Sequence, residues 1–320
     1  MTTMTLLNKD IIKVMSVNIS KEKGTIKTPV SSIALTSTGV EGDAHAGKWH
    51  RQISMLGLES IEKFEEQTGK KINCGEFAEN ITTSGMILYE ARPLDRFIIG
   101  KAELEVTQIG KECHGSNCAI FKESGNCIMP KEGIFCRVIK NGPIKAGDIV
   151  IYQPKVITIK VITMSDRASS GFYTDRSGPK VIELVEAYFS SISYPVKIEH
   201  SIIGDDKDHL HNLLLKCRDE KIDVVITTGG TGISPRDITP DTVKTLLDKE
   251  IPGIMESIRI KYGQEKYAAL LSRSIAGVMG HSLVFTLPGS VQAVIEYLEE
   301  ITKGLKHMLF MINQIDSHKS

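Results

Sequence analysis

Two patterns of apolar spacing divide the chain. In the first half apolar residues alternate over short stretches. Ala102, Leu104 and Val106 alternate with Glu103 and Glu105, after Arg96-Phe97-Ile98-Ile99 and a Gly100-Lys101 turn, which predicts a hairpin. Residues 9–19 form an apolar, β-branched opening, and Ile149-Val150-Ile151-Tyr152 follows the turn Lys145-Ala146-Gly147-Asp148. One helix is expected over residues 58–67, closed by Gly69. Many short strands with glycine-rich connections predict a mainly-β, barrel-like domain.

The pattern changes at Gln153-Pro154. Residues 156–163, 196–203, 222–227 and 283–287 read as buried strands. Between them lie helical stripes. Val181, Leu184, Val185 and Tyr188 share a face of a helix with Ser177 as N-cap and Pro179 in its first turn. Leu210, Leu213, Leu214 and Cys217 share another face, and Val291, Val294, Ile295, Leu298, Ile301 and Leu305 mark a long final helix. Strands alternating with helices predict an α/β doubly wound parallel sheet. The expected domains are residues 1–152 and 153–320.

Composition narrows the function classes. The 320 residues carry 39 basic and 39 acidic side chains, and the split at Tyr152 leaves 19 basic against 18 acidic before it. Neither half has the charge excess that a nucleic-acid or membrane surface would need. No stretch reaches the ~18 apolar residues of a membrane span. Asp10 and the polar residues around it do not suit a signal peptide, so a cytoplasmic protein is expected. Its six cysteines are then thiols, ligands or catalytic groups rather than a disulfide framework.

The sharpest motif is Thr227-Thr228-Gly229-Gly230-Thr231-Gly232, directly after a buried strand and before a helix opened by Thr239-Pro240. Glycines allow close approach of an anion, and successive backbone N–H groups can cradle phosphate. A carboxylate shortly downstream, Asp237, suits a divalent cation held between acid and phosphate. Asp205-Asp206 follows another strand, where Asp206 would also suit the first turn of a helix. Ser165-Asp166-Arg167 and Leu287-Pro288-Gly289-Ser290 follow two more strands, so four loops are expected to build one crevice.

These residues, with Gly171, Asp175, Ser177-Gly178, Pro252-Gly253, Glu256, Arg259 and Leu271-Ser272-Arg273, resemble the molybdopterin adenylyltransferase family over about residues 156–312. Val291 stands where that family often has proline. The resemblance implies a trimer-forming α/β domain that converts molybdopterin and Mg-ATP to adenylylated molybdopterin and pyrophosphate. It implies Asp205 and Asp237 as catalytic and Mg²⁺-linked acids. Gly229, Gly230, Thr231 and Gly232 would hold the terminal phosphate, with Ser165, Asp166, Ser272, Pro288, Gly289 and Ser290 around the substrate. Adenylyl transfer asks mainly for positioning and charge neutralisation, which such loops can supply.

The first half carries Gly42-Asp43-Ala44-His45 with Arg51, Phe77-Ala78-Glu79-Asn80 with Thr82-Thr83, and a cysteine-bearing segment from Gln108. The cysteine gaps, C-x4-C, C-x8-C and C-x8-C, contain no C-x2-C knuckle, which argues against structural zinc. Cys74 and Cys136 lie in apolar settings and read as buried thiols. Cys113 stands between Lys111 and His114, whose positive charge favours thiolate. Arg51 and Lys111 are candidates for phosphate or oxo groups. The segment 10–152 resembles the MOSC domain, with Ala78 where glycine is common. That resemblance implies a β-barrel-like fold that binds molybdenum cofactor, with Cys113 or Cys118 holding sulfur or ligating molybdenum. Both halves thus point to molybdenum cofactor biosynthesis; the alternative is a non-catalytic molybdopterin carrier.

Overall fold

The computed structural model describes residues 11–112 and 127–315, which fall into two compact units dividing between Lys155 and Val156. Cys113 and Cys118, expected to hold sulfur or ligate molybdenum, lie outside the described residues.

In the first unit the main sheet contains β1 (Lys13–Ile19), β2 (Thr28–Val30), β5 (Ile53–Gly57), β6 (Ile81–Ser84), β7 (Arg96–Ile99), β8 (Ala102–Ile109), β9 (Ile134–Lys140) and β11 (Val150–Gln153), in the order β11-β7-β8-β9-β5-β6-β1-β2. The expected hairpin is β7–β8, with Ile99 opposite Ala102. The sheet closes on itself: Lys13 faces Ile149, and the Val14 and Val150 N–H groups donate to Asp148 and Ile12 at 2.9 Å. Closure hides the edges of β1 and β11, which would otherwise present unpaired backbone groups. β3 (Ile33–Thr36), β4 (Gly39–Val40) and β10 (Gly142–Ile144) form a small separate sheet, whose Ile33, Leu35, Val40 and Ile144 pack into the same core. The helix Leu58–Thr68 buries Ile61 and Phe64 and stops where Gly69 turns left-handed.

The second unit has a sheet of β12 (Ile157–Met164), β13 (Val196–Ile203), β14 (Val224–Thr228), β15 (Lys249–Glu250), β16 (Ala276–Met279) and β17 (Ser282–Leu287), in the order β13-β12-β14-β17-β16-β15. Its first four strands are parallel. The β16 and β15 edge is antiparallel, a departure from an all-parallel sheet. The cause is local: Gly280-His281 joins Met279 to Ser282 as a two-residue turn, which can connect only antiparallel neighbours.

Helices cover both faces of this sheet. Val181, Val185, Met255, Ile258, Val294, Leu298 and Leu305 pack on one face with Ile159, Ile226 and Phe285. Leu210, Leu214, Cys217 and Val243 pack on the other with Ile162, Val225 and Val284. Successive strand residues point to opposite faces, so each strand serves both cores. One expected cap is different. Ser177 is the first residue of its helix, and Asp175 does the capping: its Oδ1 accepts from the Ser177 N–H at 2.9 Å, the Gly178 N–H at 3.1 Å and the Ser177 hydroxyl at 3.0 Å. A carboxylate outdoes a serine hydroxyl because it can take several donors at once. Among the described residues no helix is long and apolar enough to cross a membrane.

Candidate active site

A cavity of about 860 Å³ opens in the second unit beyond the carboxyl ends of β12, β14 and β17. Its floor is the glycine loop. Gly229 (φ 100°) and Gly230 (φ 63°) are left-handed, and a Cβ on Gly229 would stand 2.3 Å from the Met164 carbonyl oxygen. The Gly229 N–H is spent on Leu287 O at 2.9 Å, which removes it from the expected phosphate cradle. The N–H groups of Gly230, Thr231 and Gly232 have no acceptor among the described residues, and all three residues line the cavity. Their carbonyl sides are occupied. Thr239 N–H donates to Gly230 O, Arg273 N–H to Thr231 O at 2.9 Å, and Arg273 Nε to Gly232 O at 2.7 Å. Arg273 also grips Asp241 through two bonds of 2.8 and 2.9 Å and donates to Asp237 O. With the carbonyls tied back, three successive N–H groups are left without acceptors, the arrangement an anion nest needs. The sequence reading assigned Arg273 no role; its place in the Leu271-Ser272-Arg273 motif was the only signal.

Asp237 lines the cavity, and its Oδ2 accepts from the Ser234 N–H at 2.7 Å, so this acid also closes its own turn. Asp166 and Asp205 do not line the cavity. They stand together, with the Asp205 N–H donating to Asp166 Oδ1 at 2.9 Å. Burial first, and then the neighbouring Asp166 and Asp237 carboxylates, raise the Asp205 pKa above the usual aspartate value, while Arg236 opposes this. Three acids from three loops therefore feel one another, and their negative charge is incompletely balanced. Asp206 is the N-cap of the helix Lys207–Asp219, accepting from the His209 N–H at 3.0 Å. Among the described residues no group of three His, Cys, Asp or Glu side chains is arranged to hold a metal ion by itself. Magnesium bound through one or two carboxylates and substrate phosphates requires no such cage.

Ser165, Ser272, Pro288, Gly289 and Ser290 all line the cavity. Ser165 and Ser290 spend their hydroxyls as N-caps, Ser290 on the final helix Val291–Ile312. Ser272 Oγ lies 3.0 Å from the Tyr297 hydroxyl and 2.9 Å from Ser274 Oγ. Residues the sequence did not single out also line it: Tyr173, Arg176, Lys266, Gln292, Glu296 and Tyr297. Behind one wall, Thr163 Oγ1 donates to Asp175 Oδ2 at 2.7 Å and lies 3.0 Å from His200 Nε2. Burial would raise the Asp175 pKa, but the bonds from Thr163, Gly178 and Ser177 outweigh it and hold the pKa low.

The first unit contains a buried polar cluster. Lys27 Nζ meets Asp43 Oδ2 at 2.5 Å, both side chains being 1% exposed. Asp43 also accepts from the backbone N–H groups of Ser20 and His45 and from Asn80 Nδ2. Glu79 Oε1 takes the Gly75 N–H and the Thr82 hydroxyl, whereas Oε2 is buried with no partner among the described residues. Burial raises the Glu79 pKa and lowers that of Lys27. Lys27 also feels the Lys111 charge. Lys27 was missed because an isolated lysine carries no sequence signal of burial. Arg51 stacks over Trp49 at 5.0 Å with its Nε buried and unpartnered among the described residues; Lys111 lies 5.9 Å above the Phe135 ring. Cys136 is buried as expected, and burial pushes its thiol up. Cys74 is only half-buried, a correction, because its neighbours Asn73 and Gly75 belong to a turn rather than a strand. Ala78 sits at φ 63°, which accounts for glycine being common at that position of the resembling family.

An open α/β sheet with a glycine loop and a cavity beyond its strand ends defines a doubly wound α/β domain of the ligand-binding type. Residues 160–307 match the family model described as a probable molybdopterin binding domain, and residues 42–151 match the MOSC domain. Molybdopterin adenylyltransferase of Helicobacter pylori is 36% identical over 159 residues, covering 49% of this chain and 89% of that protein. Molybdopterin adenylyltransferase of Pyrococcus furiosus is 39% identical over 161 residues, covering 49% and 91%. A solved structure described as the tungsten cofactor synthesizing protein MoaB from Pyrococcus furiosus is 38% identical, covers 50% of this chain and 98% of its own, and has a TM-score of 0.44. The chain belongs to the molybdopterin-binding family through its second unit and carries a MOSC domain before it.

Proposed function

We propose that the protein acts in molybdenum cofactor biosynthesis and that its second unit adenylylates molybdopterin. A terminal phosphate oxygen of molybdopterin attacks the α-phosphorus of ATP, and the bond to pyrophosphate breaks. The observation that carries this reading is the row of N–H groups without acceptors at Gly230, Thr231 and Gly232, residues that line one cavity together with Asp237. The cradle binds phosphate, the cavity walls orient the substrate, and the loop held by Arg273 needs no rearrangement to do so. Mg²⁺ would be held by Asp237 and Asp205, where it supplies charge neutralisation for the triphosphate. The raised pKa of Asp205 supports that fit, since a cation would relieve the crowding of negative charge. Asp166 adds to the same field.

The first unit, by the same reading, binds molybdenum cofactor, with Arg51 and Lys111 toward its anionic groups and Cys113 or Cys118 for sulfur or metal. The second unit assembles as a trimer, which light scattering of the full chain can check. The decisive experiment mixes purified protein with molybdopterin and Mg-ATP and measures adenylylated pterin and pyrophosphate. Asp237→Asn should lower the rate by about 100-fold or more while binding molybdopterin, since asparagine keeps an acceptor for the Ser234 N–H. Wild-type turnover in that variant would remove Asp237 from the chemistry. Binding without turnover by the wild type would leave a carrier.

A further inference from the structure

The lining of the cavity contains charge outside the glycine loop that phosphate binding does not explain. Lys266 Nζ lies 2.6 Å from Glu296 Oε1, and Gln292 Nε2 donates to the same oxygen at 3.0 Å. Glu296 Oε2 has no partner among the described residues. The Glu296 side chain is 11% exposed and lines the cavity, whereas Lys266 is half exposed. An exposed ion pair on a helix contributes little, ~0–1 kcal/mol, and gives no reason to sink a carboxylate into a cavity. Burial alone would raise this acid's pKa, yet the bonds from Lys266 and Gln292 keep it low and the group ionised.

Position adds a second argument. Gln292 and Glu296 lie one turn apart on the final helix, and so do Ala293 and Tyr297, which places all four on its cavity side. The same helix begins at Ser290, beside Gly289, where a Cβ would stand 3.3 Å from the Gly229 Cα. Glu296 is about 9 Å further along the helix axis than Ser290. A ligand anchored by phosphate at the glycine loop would reach it with its far end.

We propose that Glu296 and Lys266 recognise the pyrimidine edge of the pterin ring and so determine substrate specificity. This rests on the reading of the cavity as a molybdopterin site. The pterin edge presents the 2-amino N–H and the ring N3–H side by side, with the C4 carbonyl oxygen next to them. A carboxylate accepts both N–H donors in parallel, and a neighbouring ammonium donates to the carbonyl. Glu296 Oε2 is open for one of these donors, and Oε1 takes the other in place of Gln292 while keeping Lys266. Rings with an acceptor at the amino position would set a lone pair against the carboxylate and be rejected, whereas guanine, which has the same edge, would not be.

Calorimetry on the full-length protein tests this with two probes: pterin, and lumazine, which carries a carbonyl in place of the 2-amino group. The wild type should prefer pterin by about tenfold or more, the worth of one charge-assisted hydrogen bond. Glu296→Gln, which keeps an acceptor for Lys266 and gains a donor for lumazine, should erase or invert that preference. Lys266→Met should weaken both probes equally, because both carry the C4 carbonyl. Equal binding of the two probes by the wild type, or an unchanged preference in Glu296→Gln, overturns the assignment. The adenylylation assay separates the two readings. Turnover of molybdopterin without pterin preference rejects the ring site and keeps the activity; preference without turnover does the reverse. Neither preference nor turnover rejects both.

Discussion

Replacing Gly230 with alanine tests the glycine loop through energies that can be worked from its surroundings. The backbone there is left-handed at φ 63°, which costs an L-residue with a Cβ ~1–2 kcal/mol. The added Cβ would stand 2.5 Å from Thr239 Oγ1. Thr239 is completely buried, and its hydroxyl donates to Gly229 O at 2.9 Å while its N–H donates to Gly230 O at 3.1 Å. To make room the hydroxyl must turn away, which leaves a buried carbonyl short of a donor at ~1–3 kcal/mol. The expected loss is therefore about 2–5 kcal/mol. Urea unfolding followed by far-ultraviolet circular dichroism reads the helices of the second unit. The single tryptophan, Trp49, belongs to the first unit, so its fluorescence transition should not move. In a Thr239→Ala background the collision is gone, and the same substitution should cost only the backbone part, ~1–2 kcal/mol. A loss below about 0.5 kcal/mol, or equal losses in the two backgrounds, would refute the reasoning about this loop.

Three further outcomes follow from other sites. Asp205 has a raised pKa in the folded protein, so the native state binds more protons than the unfolded chain and stability falls as pH rises through and above 3.8. Asp205→Asn should thus raise the melting temperature at pH 7 but not at pH 3, and Mg²⁺ with ATP should shrink the gain; a carboxyl titration at or below 3.8 by NMR would contradict it. Ala78→Gly relieves ~1–2 kcal/mol of left-handed strain against ~0.4–1 kcal/mol of added chain entropy, a net gain of ~0–1.6 kcal/mol read in the Trp49 unfolding midpoint; a net loss would contradict it. Lys27→Met strands the buried Asp43 carboxylate and should cost about 3–5 kcal/mol, whereas Lys27→Met with Asp43→Asn should cost less; equal costs would show that the pair is not coupled.

Local rules carried most of the secondary structure. The strands of the second unit were legible because burial on both faces leaves continuous apolar runs, and the helices because one face must repeat every 3.6 residues. The antiparallel edge was not, since Ala276–Met279 is too short and too plain to declare its partner. The cap on Ser177–Ser191 was misplaced by two residues because serine and aspartate compete for the same donors, and only the coordinates tell which side chain turns back.

What the sequence by itself determined is the local chemistry: where the chain must turn left-handed, where a phosphate can approach backbone N–H groups, and which segments can bury a face. Gly229 and Gly230 declare themselves because a conformational requirement belongs to a single residue. The tertiary structure alone decided which charges meet. Asp166, Asp205 and Asp237 leave three different strands, and strand order brings them within each other's fields. Lys266 and Glu296 join across a helix and a loop, and Lys27 finds Asp43 only because the first unit's fold buries both. The reason is that an electrostatic interaction depends on distance and dielectric, and neither exists for a pair of residues until packing has placed them and removed the water between them.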